Sequence, residues 1–240
     1  MWWFVSNTKK FRRNEKIKIM KMLRALNYIY SLRQLESILD IPYQNLWKYI
    51  HMLTIPSDEV VIDIISKLSE GKLIEKTIND MAKVYRDKIH DLASDIGFLS
   101  LYIFKIEDIL RDVGADIVLP ISENSIPFAT ILAWELGLKM CLPIFESKVG
   151  ETKVKVIWYI SNTEREVKLF ITPSTCLEKT NTILVTITLD DVDKLKAVLH
   201  ILKQSDSEVK AIVTIYITKE CLDYIKNSLP QTLVTYIVVV

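Results

Sequence analysis

Residues Ala115–Gly137 read ADIVLPISENSIPFATILAWELG. A short apolar run, Asp116 to Pro120, predicts a buried strand. A polar stretch, Ser122-Glu123-Asn124-Ser125, interrupts it, and an apolar pattern from Ile126 to Leu138 predicts a helix that ends at Gly137. The same alternation continues downstream. Lys139 to Phe145 reads as a second strand. Thr152–Tyr159 and Arg165–Thr172 alternate around Ser161-Asn162-Thr163 and read as a hairpin. Thr182 to Leu189 predicts a strand and Asp191 to Gln204 a helix. Glu208–Thr218, Glu220–Asn227 and Thr232–Val240 predict a strand, a helix and a final strand. Strands separated by helices imply a mainly parallel sheet covered on both faces, so the fold class is α/β.

Upstream of Gly114 the texture is helical. Asn14 to about Leu26 predicts a helix with Ile17, Met20, Leu23 and Leu26 on one face. Ser31 and Gln34 form a capping box for a second helix whose apolar face is Leu32, Leu35, Ile38 and Leu39. Asp40-Ile41-Pro42 ends it, because proline cannot continue a helix but starts one well. Leu46, Tyr49 and Ile50 then repeat the spacing. Two short helices with a tight turn between them make a helix-turn-helix. Ser57 caps a further helix, Leu73 to Leu92 reads as one long amphipathic helix, and Gly97 to Asp112 as another. The division expected is 1–70 for a nucleic-acid-binding head, 71–96 for a helical connector and 97–240 for the sheet domain. Met1–Val5 reads equally as a strand or a docking segment.

Charge and rare residues narrow the function. Residues 1–50 carry ten Lys/Arg against three Asp/Glu, a balance of +7; residues 51–240 carry twenty-one against twenty-seven, a balance of −6. A basic head on an acidic body points to polyanion binding at one end. Only five glycines occur, none within twelve positions of another, where average usage would give about seventeen. No glycine-paired phosphate loop and no GxSxG elbow can therefore be written. Cys141, Cys176 and Cys221 are far apart, beside no histidine. No zinc spacing follows, and an odd count speaks for reduced thiols in a cytoplasmic setting rather than a disulfide framework. No cofactor and no metal are expected. Asp190, Asp191 and Asp193 read as a helix N-terminus rather than a cation site. Trp134 and His200 read as packing residues on helices covering the sheet. The longest uncharged run, Asn227 to Val240, is too short for a membrane helix, so no membrane partner is expected.

Taken together, the pieces resemble a helix-turn-helix fused to a type I phosphoribosyltransferase domain, as in purine-operon-repressor-like regulators and archaeal phosphoribosyltransferase-family regulators. In the head the resemblance rests on Leu35, Ile38, Ile41-Pro42, Leu46, Lys48-Tyr49-Ile50 and Ile55-Pro56-Ser57. In the body it rests on Ala115–Leu119, Ser125–Gly137 and Ala197–Val209. The family's signature is an apolar strand, two acidic residues and a Gly/Thr-rich phosphate loop. Read without gaps, the strand is Thr182–Val185, the acidic pair falls on Thr186 and Ile187, and the loop falls on Asp190–Lys194 with no glycine. The resemblance so read implies a domain that lacks the phosphoribosyl-diphosphate loop, hence no enzyme.

The function expected is that of a DNA-binding transcription regulator, whose body serves dimerisation or ligand sensing. Tyr43, Gln44, Asn45, Trp47 and Lys48 are the candidate groove contacts, with Arg33 beside them. Lys9, Lys10, Arg12 and Arg13 form a candidate phosphate-binding arm. Ser122, Glu123, Asn124 and Ser125 form a candidate ligand pocket at the strand C-termini. Duplex DNA and a second copy of the chain are the expected partners, a small-molecule effector being left open. One alternative is a single-stranded DNA or RNA binder in replication, repair or processing, for which the aromatic-basic head would supply stacking. Further alternatives are an active phosphoribosyltransferase and a protein-interaction adaptor.

Overall fold

The computed structural model describes residues 10–145, 153–161, 163 and 165–240. Lys9 and the apolar start of the chain lie outside the described residues. The chain divides into two compact units. One takes the chain up to Tyr85 together with Asp95–Lys105, and the other takes Arg86–Ser94 with Ile106–Val240.

The first unit is helical. It contains α1 (Arg13–Ile29), α2 (Leu32–Leu39), α3 (Tyr43–Ile50), α4 (Asp58–Glu70), α5 (Leu73–Val84) and the first part of α7 (Ile96–Arg111). Its core is largely aliphatic, with Leu23, Leu26, Leu35, Leu39, Leu46 and Ile64 fully buried, and also takes in Phe98 and Tyr102. Helix α1 begins one residue before Asn14. Arg12 is its N-cap, and the Arg12 N–H donates to Glu15 Oε2 at 2.7 Å. Ahead of it, Phe11 is buried and its N–H donates to Asp58 Oδ1, while Lys16 Nζ pairs with the same oxygen at 2.8 Å. The Lys16 ammonium and the Phe11 amide together hold the Asp58 carboxyl below its usual range.

The helix expected over 73–92 is two helices, α5 and α6 (Ile89–Ser94), with α5 ending at Val84 and Tyr85 as its C-cap. The Tyr85 hydroxyl donates to Asp95 Oδ2 at 2.7 Å, and Asp95 Oδ1 accepts the Phe98 N–H at 2.9 Å in the first turn of α7. Asp95 thus acts as an N-terminal cap. The apolar spacing runs on through the break, which is why periodicity alone joins the two helices.

The second unit is built on a five-stranded parallel sheet of order β2-β1-β5-β7-β9. The strands are β1 (Ile117–Pro120), β2 (Lys139–Met140), β5 (Asn181–Val185), β7 (Glu208–Val213) and β9 (Leu233–Thr235). Thr182–Val185 of β5 are buried throughout, as befits a strand covered on both faces. Helices α8 (Ile126–Leu136), α9 (Val192–Lys203) and α10 (Lys219–Ser228) follow β1, β5 and β7 in the chain. A hairpin, β3 (Val154–Ile160) with β4 (Val167–Pro173), stands apart as a two-stranded antiparallel sheet. Its inner residues Phe170, Ile157 and Tyr159 join the core with Leu195, Val198 and Ile201 of α9.

Three strands expected to be continuous are bent. After β5, β7 and β9 the chain turns and resumes as β6 (Thr188–Leu189), β8 (Tyr216–Ile217) and β10 (Val238–Val239), a second parallel sheet of order β10-β8-β6. Two of the bends share a device. Thr186 Oγ1 donates to the Thr188 carbonyl, and Thr214 Oγ1 to the Tyr216 carbonyl, each at 2.9 Å and two residues on. A threonine hydroxyl that bonds its own backbone competes with the ladder and turns the strand. The strand expected over Lys139–Phe145 is confined to Lys139–Met140.

Three other expectations are corrected. Cys141 and Cys176 are joined in a disulfide with their Cα atoms 5.6 Å apart, because β2 and the turn after β4 bring them together across 35 residues of sequence. Trp134 is 79% exposed on α8, so it is not a packing residue. His200 is likewise exposed, against Gln204 one turn on. Among the described residues, no helix is long and apolar enough to cross a membrane.

Burial of Tyr216 in β8 pushes its phenol up to about 12 from 10.0, with Arg86 opposing and Asp87 assisting. The folded state therefore holds this proton more tightly than the unfolded chain does. Its contribution to stability is complete below pH 10 and lost as pH rises towards 12. Tyr216→Phe is expected to flatten the fall of urea midpoint over that window, and an unchanged slope would contradict it.

Candidate nucleic-acid interface

The turn between α2 and α3 is set by residues whose side chains close it. Ser31 Oγ accepts from the Gln34 N–H, and Gln34 Oε1 accepts from the Ser31 N–H at 2.8 Å, the reciprocal box that the sequence predicts. Asp40 takes the left-handed conformation (φ 51°) that ends α2, a position that Asp tolerates better than most side chains. Lys67 of α4 pins the turn: its Nζ donates to the Leu39 carbonyl at 2.8 Å and lies 3.5 Å from Asp40 Oδ2. Pro42 is the N-cap of α3, and Glu36 Oε1 accepts the Tyr43 N–H at 2.9 Å. Glu36 thereby satisfies one orphan donor and places a negative charge at the positive end of α3.

Helix α3 is two-faced as a consequence. Leu46, Tyr49 and Ile50 are buried. Tyr43, Gln44, Asn45, Trp47 and Lys48 are all exposed, so the structure gathers these five expected contacts on the free side of one helix. Trp47 is 41% exposed. Arg33 is exposed on α2, and Lys10, Arg12 and Arg13 are exposed at the start of α1. His51 is the residue that the sequence reading missed. Its ring stacks on Trp47 with centroids 4.6 Å apart, and its Nδ1 lies 3.0 Å from the Trp47 carbonyl. The four-residue spacing of Trp47 and His51 was the available signal. Met52 and Leu53 follow, also exposed. Among its described residues this unit contains no strand.

In the second unit, Ser122–Ser125 leave the C-terminal end of β1, and Glu123–Ser125 form one turn of 3-10 helix. Ser125 is fully buried, and its Oγ donates to the Ser122 carbonyl at 2.6 Å. Its hydroxyl therefore braces the turn. Ser122 Oγ lies 3.2 Å from Thr186 Oγ1 at the end of β5, which joins two strand ends through hydroxyls. Glu123 is exposed, and Ser122 and Asn124 are half-buried. Near the same edge, Asp191 caps α9: its Oδ1 accepts the Asp193 and Lys194 N–H groups at 3.0 Å each. A separate cleft of about 630 Å³ opens at the other end of the strands, lined by Asp116, Lys139, Thr175 and Cys176 among others.

No protein-family model matches this chain, and no curated protein sequence matches it. Solved structures do. The adenine phosphoribosyltransferase (APRTase) of Giardia lamblia, complexed with 9-deazaadenine, matches with a TM-score of 0.52 at 14% identity, over 61% of this chain and 82% of its own. The adenine phosphoribosyltransferase of Rhodothermus marinus matches with a TM-score of 0.50 at 12% identity, over 60% of this chain and 81% of its own. These matches correct the expectation that the chain is not an enzyme, since the proteins that share its fold are transferases by name. The physical reason lies in the bend. The gap-free reading treated Thr182–Val185 as one strand running into an acidic pair at Thr186 and Ile187 and a loop over Asp190–Lys194, whereas the chain turns after Val185, runs a second short strand over Thr188–Leu189 and opens α9 from its N-cap Asp191. A missing glycine pair in that register is no ground for excluding catalysis. At this level of identity the likeness is one of fold: a mixed α/β chain whose mainly parallel central sheet, flanked by helices, is phosphoribosyltransferase-like.

Proposed function

We propose that this protein is a DNA-binding transcription regulator in which α3 enters the major groove of duplex DNA and the phosphoribosyltransferase-like domain supports a homodimer. The free face of α3 carries this reading. Gln44 and Asn45 near the N-terminal end have the paired donors and acceptors that adenine edges require, and each such pair is worth about 1–3 kcal/mol of discrimination. Lys48 sits one turn on, exposed, where it would meet phosphate. Lys10, Arg12, Arg13 and Arg33 supply further positive charge on the same unit. A dimer would address two half-sites about one helical turn apart.

Fluorescence anisotropy tests the reading. The duplex upstream of the protein's own gene, a random duplex and the matching single strand are titrated at two salt concentrations. The upstream duplex is expected to bind tightest, with affinity falling as salt rises. Lys48→Ala is expected to weaken binding to every duplex alike, by about tenfold, and to lower the salt slope by about 1. Equal or tighter binding of the single strand would assign the head to replication, repair or processing. Absence of salt-dependent binding would overturn the reading.

A second reading follows from the fold of the matched transferases: phosphoribosyl transfer to a purine base at the strand ends around Ser122–Ser125. Incubation with adenine and phosphoribosyl diphosphate would then release pyrophosphate and form the nucleotide. No pyrophosphate above the protein-free rate would remove it.

A further inference from the structure

The hairpin β3–β4 carries apolar side chains on both faces. Its strands read VKVIWYI and VKLFITP. A strand buried on one side alternates; near-continuous apolar runs belong to strands covered on both sides. The inner face obeys this, with Ile157, Tyr159 and Phe170 against α9. The outer face does not. Its cross-strand pairs are Val156 with Ile171, Trp158 with Leu169, and Ile160 with Val167. Five of these six side chains, all but Ile171, are between 53% and 69% exposed.

We propose that this outer face is where a second copy of the chain docks, face to face, to form the homodimer. Two observations select that occupant. First, the six side chains include no charge, and the Trp158 indole N–H is the one polar group among them. Lys155 and Lys168 sit at inner-face positions, and Arg165 and Glu166 in the turn. A two-fold operation therefore sets the patch against itself without opposing like charges. Second, the area suffices. The exposed side chains leave on the order of 500 Å² of apolar surface, the upper end of what a monomer shows. Pairing two such faces removes on the order of 1,000 Å² from water, the lower bound of a specific interface. Sheets stacked this way lie about 10 Å apart, with side chains interdigitated. The inference rests on the homodimer in the reading above and is independent of its DNA contacts. A monomer that binds DNA sinks this inference together with the homodimer and leaves the DNA contacts of that reading; a hairpin dimer that ignores DNA does the reverse.

Light scattering on the full chain tests it. The wild type is expected at twice the 27.8 kDa chain mass at micromolar concentration. Trp158→Lys with Leu169→Lys is expected to run as a monomer with an unchanged melting temperature, and Val156→Lys with Val167→Lys to repeat that result. Trp134→Lys, on the exposed side of α8, is expected to remain dimeric. A monomeric wild type, dimeric hairpin variants, or a monomer produced by Trp134→Lys alone would each overturn the proposal. A monomeric wild type that floats with neutral lipid vesicles would overturn it too, assigning the face to a membrane surface. The unmodified protein supplies a readout that no folding defect can blur. Hydroxyl-radical labelling of Trp158 should fall several-fold between nanomolar and micromolar protein while that of Trp134 stays level. Equal labelling of Trp158 at both concentrations overturns the proposal.

Discussion

Gly97→Ala is expected to destabilise the protein by about 1–3 kcal/mol, read as a lower urea midpoint at unchanged m-value. A Cβ at position 97 would lie 2.4 Å from Tyr28 Cβ and 3.2 Å from the Ala25 carbonyl oxygen. Neither neighbour can swing away. A Cβ is fixed to its backbone, and the carbonyl belongs to α1 itself. Rotation of the Tyr28 ring gives no relief, so α1 and α7 must separate within the first unit. Alanine has the better helix propensity, by about 1 kcal/mol at most, and this does not offset the displacement of two packed helices. Gly71→Ala is the control. There the nearest atom is a carbonyl oxygen at 3.7 Å and φ is −81°, so the change should lie within about 0.5 kcal/mol of zero or be slightly stabilising. Equal effects at the two positions would show that propensity alone decides and that the close approach is not strained.

The contact at Gly97 also marks where sequence reading stops. Ser31, Gln34 and Pro42 announce α2 and α3 because caps and proline act within four residues, and local chemistry is legible locally. The strand–helix alternation after Gly114 is legible for the same reason. Helix approach distances are set by residues about seventy positions apart, so Gly97 reads only as a poor helix former. The bends after Val185 and Val213 lie between these cases. Leu184-Val-Thr-Ile and Ile212-Val-Thr-Ile repeat a short motif, and the Thr hydroxyls that turn the strands are visible in it. A run of apolar and β-branched residues masks them, because threonine is also a good strand residue. In the interface, Gln44, Asn45 and Lys48 follow from their offset from Pro42, since residues flanking the buried Leu46 must face out. The stacking of His51 on Trp47 depends on rotamers, which their four-residue spacing permits but does not specify. The disulfide is invisible for a topological reason: Cys141 and Cys176 meet only once the hairpin has folded back beside β2.

Asp191→Ala is expected to cost about 2–4 kcal/mol, for it removes a cap and a buried charge-assisted tie together. Asp191 is 4% exposed. One carboxylate oxygen accepts the Asp193 and Lys194 N–H groups, and the other accepts the Ser161 hydroxyl at 2.7 Å. Ser161 belongs to the turn of the β3–β4 hairpin, so a single side chain closes the first turn of α9 and fastens the hairpin to it. Alanine would strand two half-buried donors at the helix start and release the Ser161 hydroxyl. Capping alone accounts for about 1 kcal/mol, and the excess over that figure measures the hairpin tie. Asp191→Ser separates the two contributions. A serine at the N-cap restores the accepting oxygen for α9 but is too short for the contact to Ser161. It should recover about half of the loss in thermal stability while leaving the hairpin as susceptible to proteolysis as in the alanine variant. Asp190→Ala, one residue earlier and exposed, should change stability by less than about 0.5 kcal/mol. If Asp190 and Asp191 proved interchangeable, the capping assignment would fail. If Asp191→Ala left the hairpin as protease-resistant as the wild type, the contacts of Ile157, Tyr159 and Phe170 with α9 would suffice to hold it, and the carboxylate would serve the helix alone.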